Sequence, residues 1–378
     1  MKQQNNPIWL MSSAYEKLNQ EQLIEKAVSL GVQGVDLCVF RTDSDRKDHT
    51  ATHLDYANFG PDDAARIIEL FNGKSLRLSL GAFDNMIGGD PAERTKNQNH
   101  LLRLIRIAHL LGGNQNDIIV GTFVGYNHDL GVKEDGFQRN LEEYKRVFGP
   151  IVRYAESLGV TIAYENCPME GWRSARYTST FNNLSGVLAA RKLMYTLVDS
   201  SAHGEIYDPS HDIWQNTDPI EVIKRTDLSR LKRIHVKTTR NLLDDARVQW
   251  GGMYPMQMVD ESLAREAGVV IPKHDWDRHH YEAMLPGFGG TDHMDWNGFV
   301  GILNEKGFKG VFEIENEAKN SKDAGAPAAI DQGIHACVNF LAPLLWPLQE
   351  SGYVRPAHQQ LSGDVRKDIP VVEMKDLL

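Results

Sequence analysis

Short apolar runs rich in β-branched residues alternate with longer segments of helical periodicity along nearly all of this 378-residue chain. The predicted strands are residues 8–13, 34–40, 76–82, 117–123, 160–166, 204–208, 233–239 and 310–316. Several intervening segments end at glycine and one begins at Asp-Pro, the usual stop and start signals of helices. Eight strand–helix units predict an α/β fold, a (β/α)8 TIM barrel. A doubly wound sheet is the alternative, but no GxGxxG motif follows the first strand to support dinucleotide binding.

Two segments are longer than a plain barrel requires. Residues 167–181 follow the fifth predicted strand, and residues 240–294 form a much longer insert after the seventh. Loops that follow barrel strands lie on the catalytic face, so both are expected to cover the site. We therefore predict one TIM-barrel domain over residues 1–348, with its insert above the site. Residues 349–378 are expected to form a C-terminal arm, on the surface or on a partner subunit.

Composition narrows the classes of function and the compartment. The net charge of −10 disfavours a nucleic-acid partner, because an acidic surface repels phosphodiester backbones. Three widely spaced cysteines, Cys38, Cys167 and Cys337, form neither a disulfide framework nor a thiolate zinc motif. No stretch has the signal-peptide pattern or the roughly 18 apolar residues of a membrane span. We expect a cytoplasmic homo-oligomer with no membrane partner.

Four consecutive predicted strands end in acidic or basic side chains. These residues are Glu165 on the fifth strand, Asp208 and His211 on and after the sixth, His235 and Lys237 on the seventh, and Glu313 and Glu315 on the eighth. Alternate residues of a strand face one side, so His235 and Lys237 should point together, as should Glu313 and Glu315. Carboxylates with one imidazole make a hard site, which suits Mn²⁺, Mg²⁺ or Co²⁺ better than thiolate-bound zinc.

Taken alone, each of these residues also fits a purely structural interpretation. Glu165 fits a solvated strand end or a helix cap, and Asp208 before proline fits a turn and a helix N-cap. His235 alone is more typical of a core histidine, and Lys237 with Glu313 fits an ion pair. A structural origin for all of them needs several coincidences at one edge of one barrel, so the set favours a functional site. The histidine-rich run at 274–280 stays open between a second metal site, substrate contacts and a solvated loop.

Motifs at the same strand ends resemble those of a known superfamily. TIAYEN at 161–166, YDPSHDIWQ at 207–215, IHVKTT at 234–239, LPGFGG at 285–290 and GFKGVFEIENE at 307–317 are similar to the sugar phosphate isomerase/epimerase superfamily of xylose-isomerase-like TIM barrels. The resemblance covers roughly residues 8–345. The DPSH block and the closing glutamate block are specific together, whereas either alone is a weak signal.

The resemblance implies one divalent metal ion at the strand ends. Its four ligands would be Glu165, Asp208, His235 and Glu315. His211 matches a family histidine that faces the substrate, and Lys237 matches the position two residues beyond the metal histidine. Glu313 falls outside this ligand set, because the family glutamate directly follows the residue that matches Ile314. Mn²⁺ is the expected ion, with Mg²⁺, Co²⁺ or Zn²⁺ as alternatives.

The function implied is a metal-dependent isomerase or epimerase acting on a small carbohydrate through an enediolate. Glu165 and Glu315 would move the proton, while His211 or Lys237 would polarise the carbonyl. A lyase, dehydratase or deglycosidase acting on a 3-keto-glycoside by β-elimination is the alternative. A remote alternative is a DNA-repair enzyme like an AP endonuclease. That would need further histidines from the third and fourth strands, where His128 is the one candidate.

Overall fold

Eight parallel strands close into a barrel, which confirms the (β/α)8 prediction. The computed structural model describes residues 5–44, 50–169, 182–241, 248–249, 260–270, 281–318, 320–322, 326–357, 359–364 and 366–378. Two strands of the insert, β8 (Thr238–Asn241) and β9 (Tyr281–Met284), do not belong to the barrel. The eight barrel strands are β1 (Ile8–Met11), β2 (Gly34–Cys38), β3 (Arg77–Gly81), β4 (Ile119–Thr122), β5 (Thr161–Glu165), β6 (His203–Tyr207), β7 (Leu231–Val236) and β10 (Val311–Ile314). They follow chain order around the barrel, and β10 pairs with both β7 and β1.

Helices connect the strands and pack around them. They are α1 (Gln20–Leu30), α2 (Pro61–Gly73), α3 (Pro91–Leu110), α4 (His128–Gly131), α5 (Gly136–Ser157), α6 (Leu188–Leu197), α7 (Pro209–Trp214), α8 (Pro219–Arg225), α9 (Glu261–Ala267), α10 (Trp296–Glu305), α11 (Pro327–Leu345) and α12 (Met374–Leu377). The predicted stop and start signals lie at helix ends: Gly31 ends α1 at a φ of 78°, and Asp218 caps α8 before Pro219. At its start, α1 has a reciprocal capping box between Asn19 and Gln22. Every helix in the described part is too short or too polar to span a membrane.

Two apolar clusters divide the interior of the barrel domain. The larger fills the layer between strands and helices, and the smaller lies on the inner side of the strands near their carboxyl ends. Phe83 belongs to the smaller cluster. A Cβ atom at Gly121 would lie 3.0 Å from the Phe83 ring, and one at Gly81 would lie 2.8 Å from it. The ring therefore reaches across the bore because two neighbouring strand positions lack side chains.

The insert begins with an antiparallel pair that leaves the barrel. The predicted seventh strand, 233–239, is divided in the structure: β7 ends at Val236, and β8 pairs with β9 instead of a barrel strand. Pro286 and Gly287 follow β9 in a turn closed by a bridge between Leu285 and Phe288. The histidine-rich run at 274–280 and the predicted loop from residue 170 to 181 lie outside the described residues, so their suggested roles stay predictions.

The C-terminal arm runs along the end of the barrel opposite to the carboxyl ends of the strands. Gln33, before β2, donates its side-chain N–H to Pro356 O at 2.7 Å. Asn116, before β4, accepts from Ser362 N at 2.8 Å. Arg106 of α3 forms an ion pair with Asp368. The arm thus lies on its own chain, and the predicted boundary at residue 349 stays a prediction.

A buried histidine at the start of β6 makes folding stability depend on pH. His203 donates its Nε2–H to Val198 O at 2.6 Å, and Tyr164 O–H donates to Nδ1 at 3.2 Å. Burial lowers the pKa of His203 from 6.5 to about 4. Its contribution to stability is complete above pH 6.5 and is lost as the pH falls towards 4. That contribution is about 3 kcal/mol.

We therefore expect the unfolding free energy of the wild type to fall between pH 6.5 and 4 more steeply than that of His203→Gln. Gln keeps a donor for Val198 O but cannot take up a proton. Urea titrations at a series of pH values measure both slopes. Parallel slopes would show that His203 does not titrate in this range.

Candidate metal centre

Four strand ends bring three carboxylates and one imidazole to one point. Glu165 ends β5, Asp208 follows β6, His235 lies on β7, and Glu315 follows β10. Each offers one ligand atom, and these atoms all lie within 4.8 Å of one another. All four side chains are buried. The structure thus brings together the four residues that the sequence predicts as metal ligands.

Asp208 combines a structural role with an open carboxylate oxygen. Its Oδ1 accepts from Ser210 N at 2.8 Å and so caps α7. Asn166 fixes its backbone on both sides, accepting from Asp208 N at 2.7 Å and donating to Asp208 O at 3.0 Å. Among the described residues Oδ2 makes no hydrogen bond, and it lies 3.0 Å from Lys237 Nζ in an ion pair. The turn-and-cap interpretation is therefore correct, and it leaves one oxygen for a cation.

His235 presents one edge of its ring to two of the carboxylates. Its Nδ1 lies 3.3 Å from Glu165 Oε1 and 3.1 Å from Glu315 Oε2. The ring is fully buried, and neither nitrogen has a well-formed hydrogen bond among the described residues. Buried polar atoms without partners are rare in proteins, so this pair of open atoms, Asp208 Oδ2 and His235 Nδ1, fits a bound ion.

Two proton donors border the four ligands. Lys237 Nζ donates to Glu315 Oε2 and to Glu317 Oε2, each at 2.8 Å. His211 Nε2 lies 3.2 Å from Asp208 Oδ2 and 3.6 Å from Glu165 Oε1. Because Trp214 Nε1–H donates to His211 Nδ1 at 3.4 Å, the proton of His211 lies on Nε2, towards the carboxylates.

Charge within the site keeps its groups ionised despite burial. Burial opposes the negative charge of Glu165, but His235 and His211 together outweigh it and lower the pKa of Glu165 to about 2. Burial likewise opposes the charge of Glu315, whose pKa is held well below its ordinary value by Lys237 and His235. The surrounding carboxylates, Asp208 foremost, raise the pKa of Lys237 well above its ordinary value against the effect of burial. Carboxylates ready to bind a cation therefore share the site with a charged ammonium group.

Several residues at the site escaped the sequence analysis. Asn166 positions Asp208, and Glu317 continues the alternation of Glu313 and Glu315 to reach Lys237. Asp36 of β2 is buried, and burial, reinforced by the charge of Glu313, raises its pKa well above the ordinary value. Each had a signal in the sequence. Asn166 directly follows Glu165, Glu317 continues the two-residue spacing of the strand-end glutamates, and Asp36 is an acid inside an apolar strand.

Apart from Asp36, the side chains that line the site from the first four strands are mainly apolar. Phe83 lies 5.1 Å from Phe123 and 6.4 Å from the His235 ring, measured between ring centroids. Met11, Phe40 and Cys167 belong to the same buried cluster. On the other side, Tyr281 of the insert stacks on Trp214 at 5.3 Å. The four candidate ligands thus face aromatic and aliphatic surface across the mouth of the barrel.

Comparison with a family model identifies the chain over most of its length. The model of the xylose isomerase-like TIM barrel matches residues 24–338. The chain belongs to this family. The match confirms the resemblance drawn from the strand-end motifs. No curated protein sequence matches the chain significantly.

Solved structures of several enzymes share the fold of this family member. D-psicose 3-epimerase in the presence of D-fructose is 15% identical, with a TM-score of 0.56 over 90% of this chain and 99% of its own. The IolI protein with a binding zinc atom is 14% identical, with a TM-score of 0.56 over 90% of this chain and 98% of its own. L-ribulose 3-epimerase is 14% identical, with a TM-score of 0.56 and coverages of 90% and 94%. At these identities the likeness shows the fold.

Proposed function

We propose that this protein is a divalent-metal-dependent isomerase or epimerase that acts on a sugar or keto-sugar. The observation that supports this most directly is the buried group of Glu165, Asp208, His235 and Glu315 at the carboxyl ends of the strands. A TIM barrel carries its chemistry at that end. Two of the structures with the same fold are sugar 3-epimerases, and a third carries zinc.

The chemistry needs a carbon acid to be ionised next to a carbonyl. Glu165, Asp208, His235 and Glu315 would hold a divalent cation, which would act as a Lewis acid towards the substrate carbonyl. Glu165 and Glu315 are ionised, and each can accept a proton from a carbon placed between them. Return of the proton to the neighbouring carbon gives isomerisation, and return from the opposite face gives epimerisation.

The remaining residues orient the substrate. Lys237 holds Glu315 by a hydrogen bond of 2.8 Å, and His211 directs its Nε2–H into the site. Both are suited to donate to a substrate oxygen as negative charge develops on it. Phe83 and Phe123 offer an apolar wall against which the C–H face of a sugar can pack. All four ligands are buried, which limits their contact with bulk water.

Metal analysis and isotope exchange test this proposal together. We expect the purified protein to hold one divalent ion per chain, with Mn²⁺ as the expected ion. The loaded enzyme should exchange the C–H next to the carbonyl of a ketose or 3-keto sugar with solvent deuterium. Mass spectrometry against a panel of these sugars measures the exchange. Binding of no divalent ion, or exchange that survives complete chelation, would contradict the proposal.

A β-eliminating lyase or deglycosidase is the second candidate, and the pair of proton donors favours it. Elimination from a 3-keto-glycoside needs one base for the C–H and one acid for the departing oxygen. Lys237 Nζ and His211 Nε2 lie 3.0 and 3.2 Å from the same Asp208 oxygen, so two acids border one site. Release of the free aglycone from a 3-keto-glycoside identifies this reaction, whereas an epimerase returns the intact glycoside.

DNA repair has little support from the geometry. His128, the candidate after the fourth strand, contacts Asn182 Oδ1 through Nε2 at 2.9 Å and is not part of the ligand group.

The identity of the ion, the assembly into a homo-oligomer and the cytoplasmic location stay predictions.

A further inference from the structure

Below the four ligands the bore of the barrel holds a second ionic layer, and it meets the ring edge of His235 that faces away from the ligands. Glu313 Oε1 lies 3.5 Å from His235 Nε2. Both side chains are buried, at 1% and 0% exposure, and both atoms lack a hydrogen bond among the described residues. Two open atoms of complementary chemistry thus face each other, a ring nitrogen and a carboxylate oxygen.

The positive charge of Arg233 lies on the other side of Glu313. Arg233 Nε is 4.0 Å from Glu313 Oε2, and both side chains are 1% exposed. The guanidinium group is itself held in place, because its Cζ lies 4.6 Å from the centroid of the Trp9 ring and its Nη2 donates to Asp117 O at 3.2 Å. A fixed cation beneath Glu313 compensates a carboxylate that would otherwise be costly to bury.

We infer that Glu313 is a positioning residue for the metal centre: it accepts the Nε2–H of His235 and thereby directs the Nδ1 lone pair at the ion. The inference rests on the proposed metal site. A neutral imidazole carries one N–H and one lone pair, so the acceptor at Nε2 decides which nitrogen is free to ligate. Nδ1 is the nitrogen that faces Glu165 and Glu315, at 3.3 and 3.1 Å.

Shortening the contact by about 0.7 Å makes a normal charge-assisted hydrogen bond. Such a bond also raises the basicity of the ligating nitrogen, as carboxylate partners of metal-bound histidines do. The sequence interpretation excluded Glu313 as a ligand, and its position agrees with that: it meets His235 from the ring edge opposite to the ligand group. Its alternation with Glu315 puts both on the inner face of the barrel, one layer apart.

A matched pair of variants tests the inference. Glu313→Gln removes the carboxylate but keeps its size, and we expect the Kd for Mn²⁺ to rise about 10–100-fold. Glu205→Gln is the control, because Glu205 is also a buried barrel glutamate beside a buried arginine, with Arg191 Nε at 3.3 Å. Isothermal titration with Mn²⁺ should give an unchanged Kd for the control. An unchanged Kd in Glu313→Gln, or an equal rise in Glu205→Gln, overturns the inference.

A double variant separates the effect on His235 from the effect of an unpaired arginine. Glu313→Gln combined with Arg233→Met removes both charges of the lower layer, and we expect the weak binding to persist. Recovery of the wild-type Kd would show that Glu313 serves Arg233 and not His235. Both substitutions keep the side-chain volume similar, so we expect the double variant to fold. Circular dichroism checks this before titration.

The protonation of His235 gives a readout that a purely structural role would not produce. In the Zn²⁺-loaded protein labelled with ¹⁵N-histidine, we expect His235 to ligate through Nδ1 and to carry its proton on Nε2. Ligation through Nε2 overturns the inference while leaving the metal site intact. A wild-type protein that takes up neither Mn²⁺ nor Zn²⁺ overturns the proposed function, and this inference with it.

Discussion

Replacing Glu315 with Gln is expected to lower the rate of substrate C–H exchange by about 10²–10⁴, the usual cost of losing a general base. Gln keeps the size and one oxygen donor of the side chain but cannot accept a proton at neutral pH. The loss of a ligand charge also weakens the metal, so exchange is measured at saturating Mn²⁺. Because excess metal restores occupancy but not basicity, the rate should remain low.

Glu317→Gln provides the matched control for this experiment. Glu317 lies two residues further along the chain and accepts from the same Lys237 ammonium group, at the same distance of 2.8 Å as Glu315. It is not one of the four residues of the ligand group. We expect its variant to lose far less exchange than Glu315→Gln. If saturating Mn²⁺ brought Glu315→Gln back to the wild-type rate, Glu315 would be a ligand only, and His211 or Lys237 would be the candidate bases.

The fold could be predicted from the sequence because its signals are local. Each barrel strand lies within or overlaps one of the eight apolar runs, and the caps at Asn19 and Asp208 use side chains within three residues of the groups they satisfy. Parallel barrel strands are buried on both faces and read as continuous apolar runs. Such a run can be recognised without knowing which distant strand pairs with it.

The division of the seventh predicted strand shows where local signals end. The run 233–239 keeps its alternation through Lys237, yet β8 leaves the barrel at Thr238 to pair with β9. Its partner, Tyr281–Met284, lies beyond a long insert, and nothing within seven residues of sequence reports that pairing. Which strand pairs with which is decided by tertiary structure. The prediction from residue alternation alone therefore extended the seventh strand too far.

At the site, the alternation of residues along a strand predicted which side chains share a face but not how deep each lies in the barrel. Alternation placed Glu313 and Glu315 on one face, and the family motif separated ligand from neighbour. The depth of each within the bore followed only from the structure, where Glu313 meets His235 Nε2 and Glu315 meets Nδ1. Asp36 was missed because an acid inside an apolar strand has no partner visible in the sequence; its surroundings come from β7 and β10 across the bore.

His235→Ala is expected to abolish tight metal binding. His235 supplies the one nitrogen ligand of the proposed set, and its Nδ1 lies within 3.3 Å of carboxylate oxygens of both Glu165 and Glu315. Structural zinc sites bind with about 10–16 kcal/mol, so one ligand of four contributes about 3 kcal/mol, which corresponds to about a 10²-fold rise in Kd. His203→Gln is the control, because it alters a buried histidine of the adjacent strand that lies outside the ligand group.

Thermal unfolding with and without Mn²⁺ measures the metal affinity of these proteins independently of enzyme activity. An ion that binds only the folded protein stabilises it by about 4 kcal/mol at 1,000 times its Kd. The wild type and His203→Gln should therefore each gain about 4 kcal/mol from Mn²⁺, while His235→Ala, with its higher Kd, should gain only about 1.4 kcal/mol at the same concentration. Equal stabilisation of all three proteins would mean that the ion binds without His235. The three carboxylates would then have to hold the ion with a substrate or solvent oxygen in place of the imidazole.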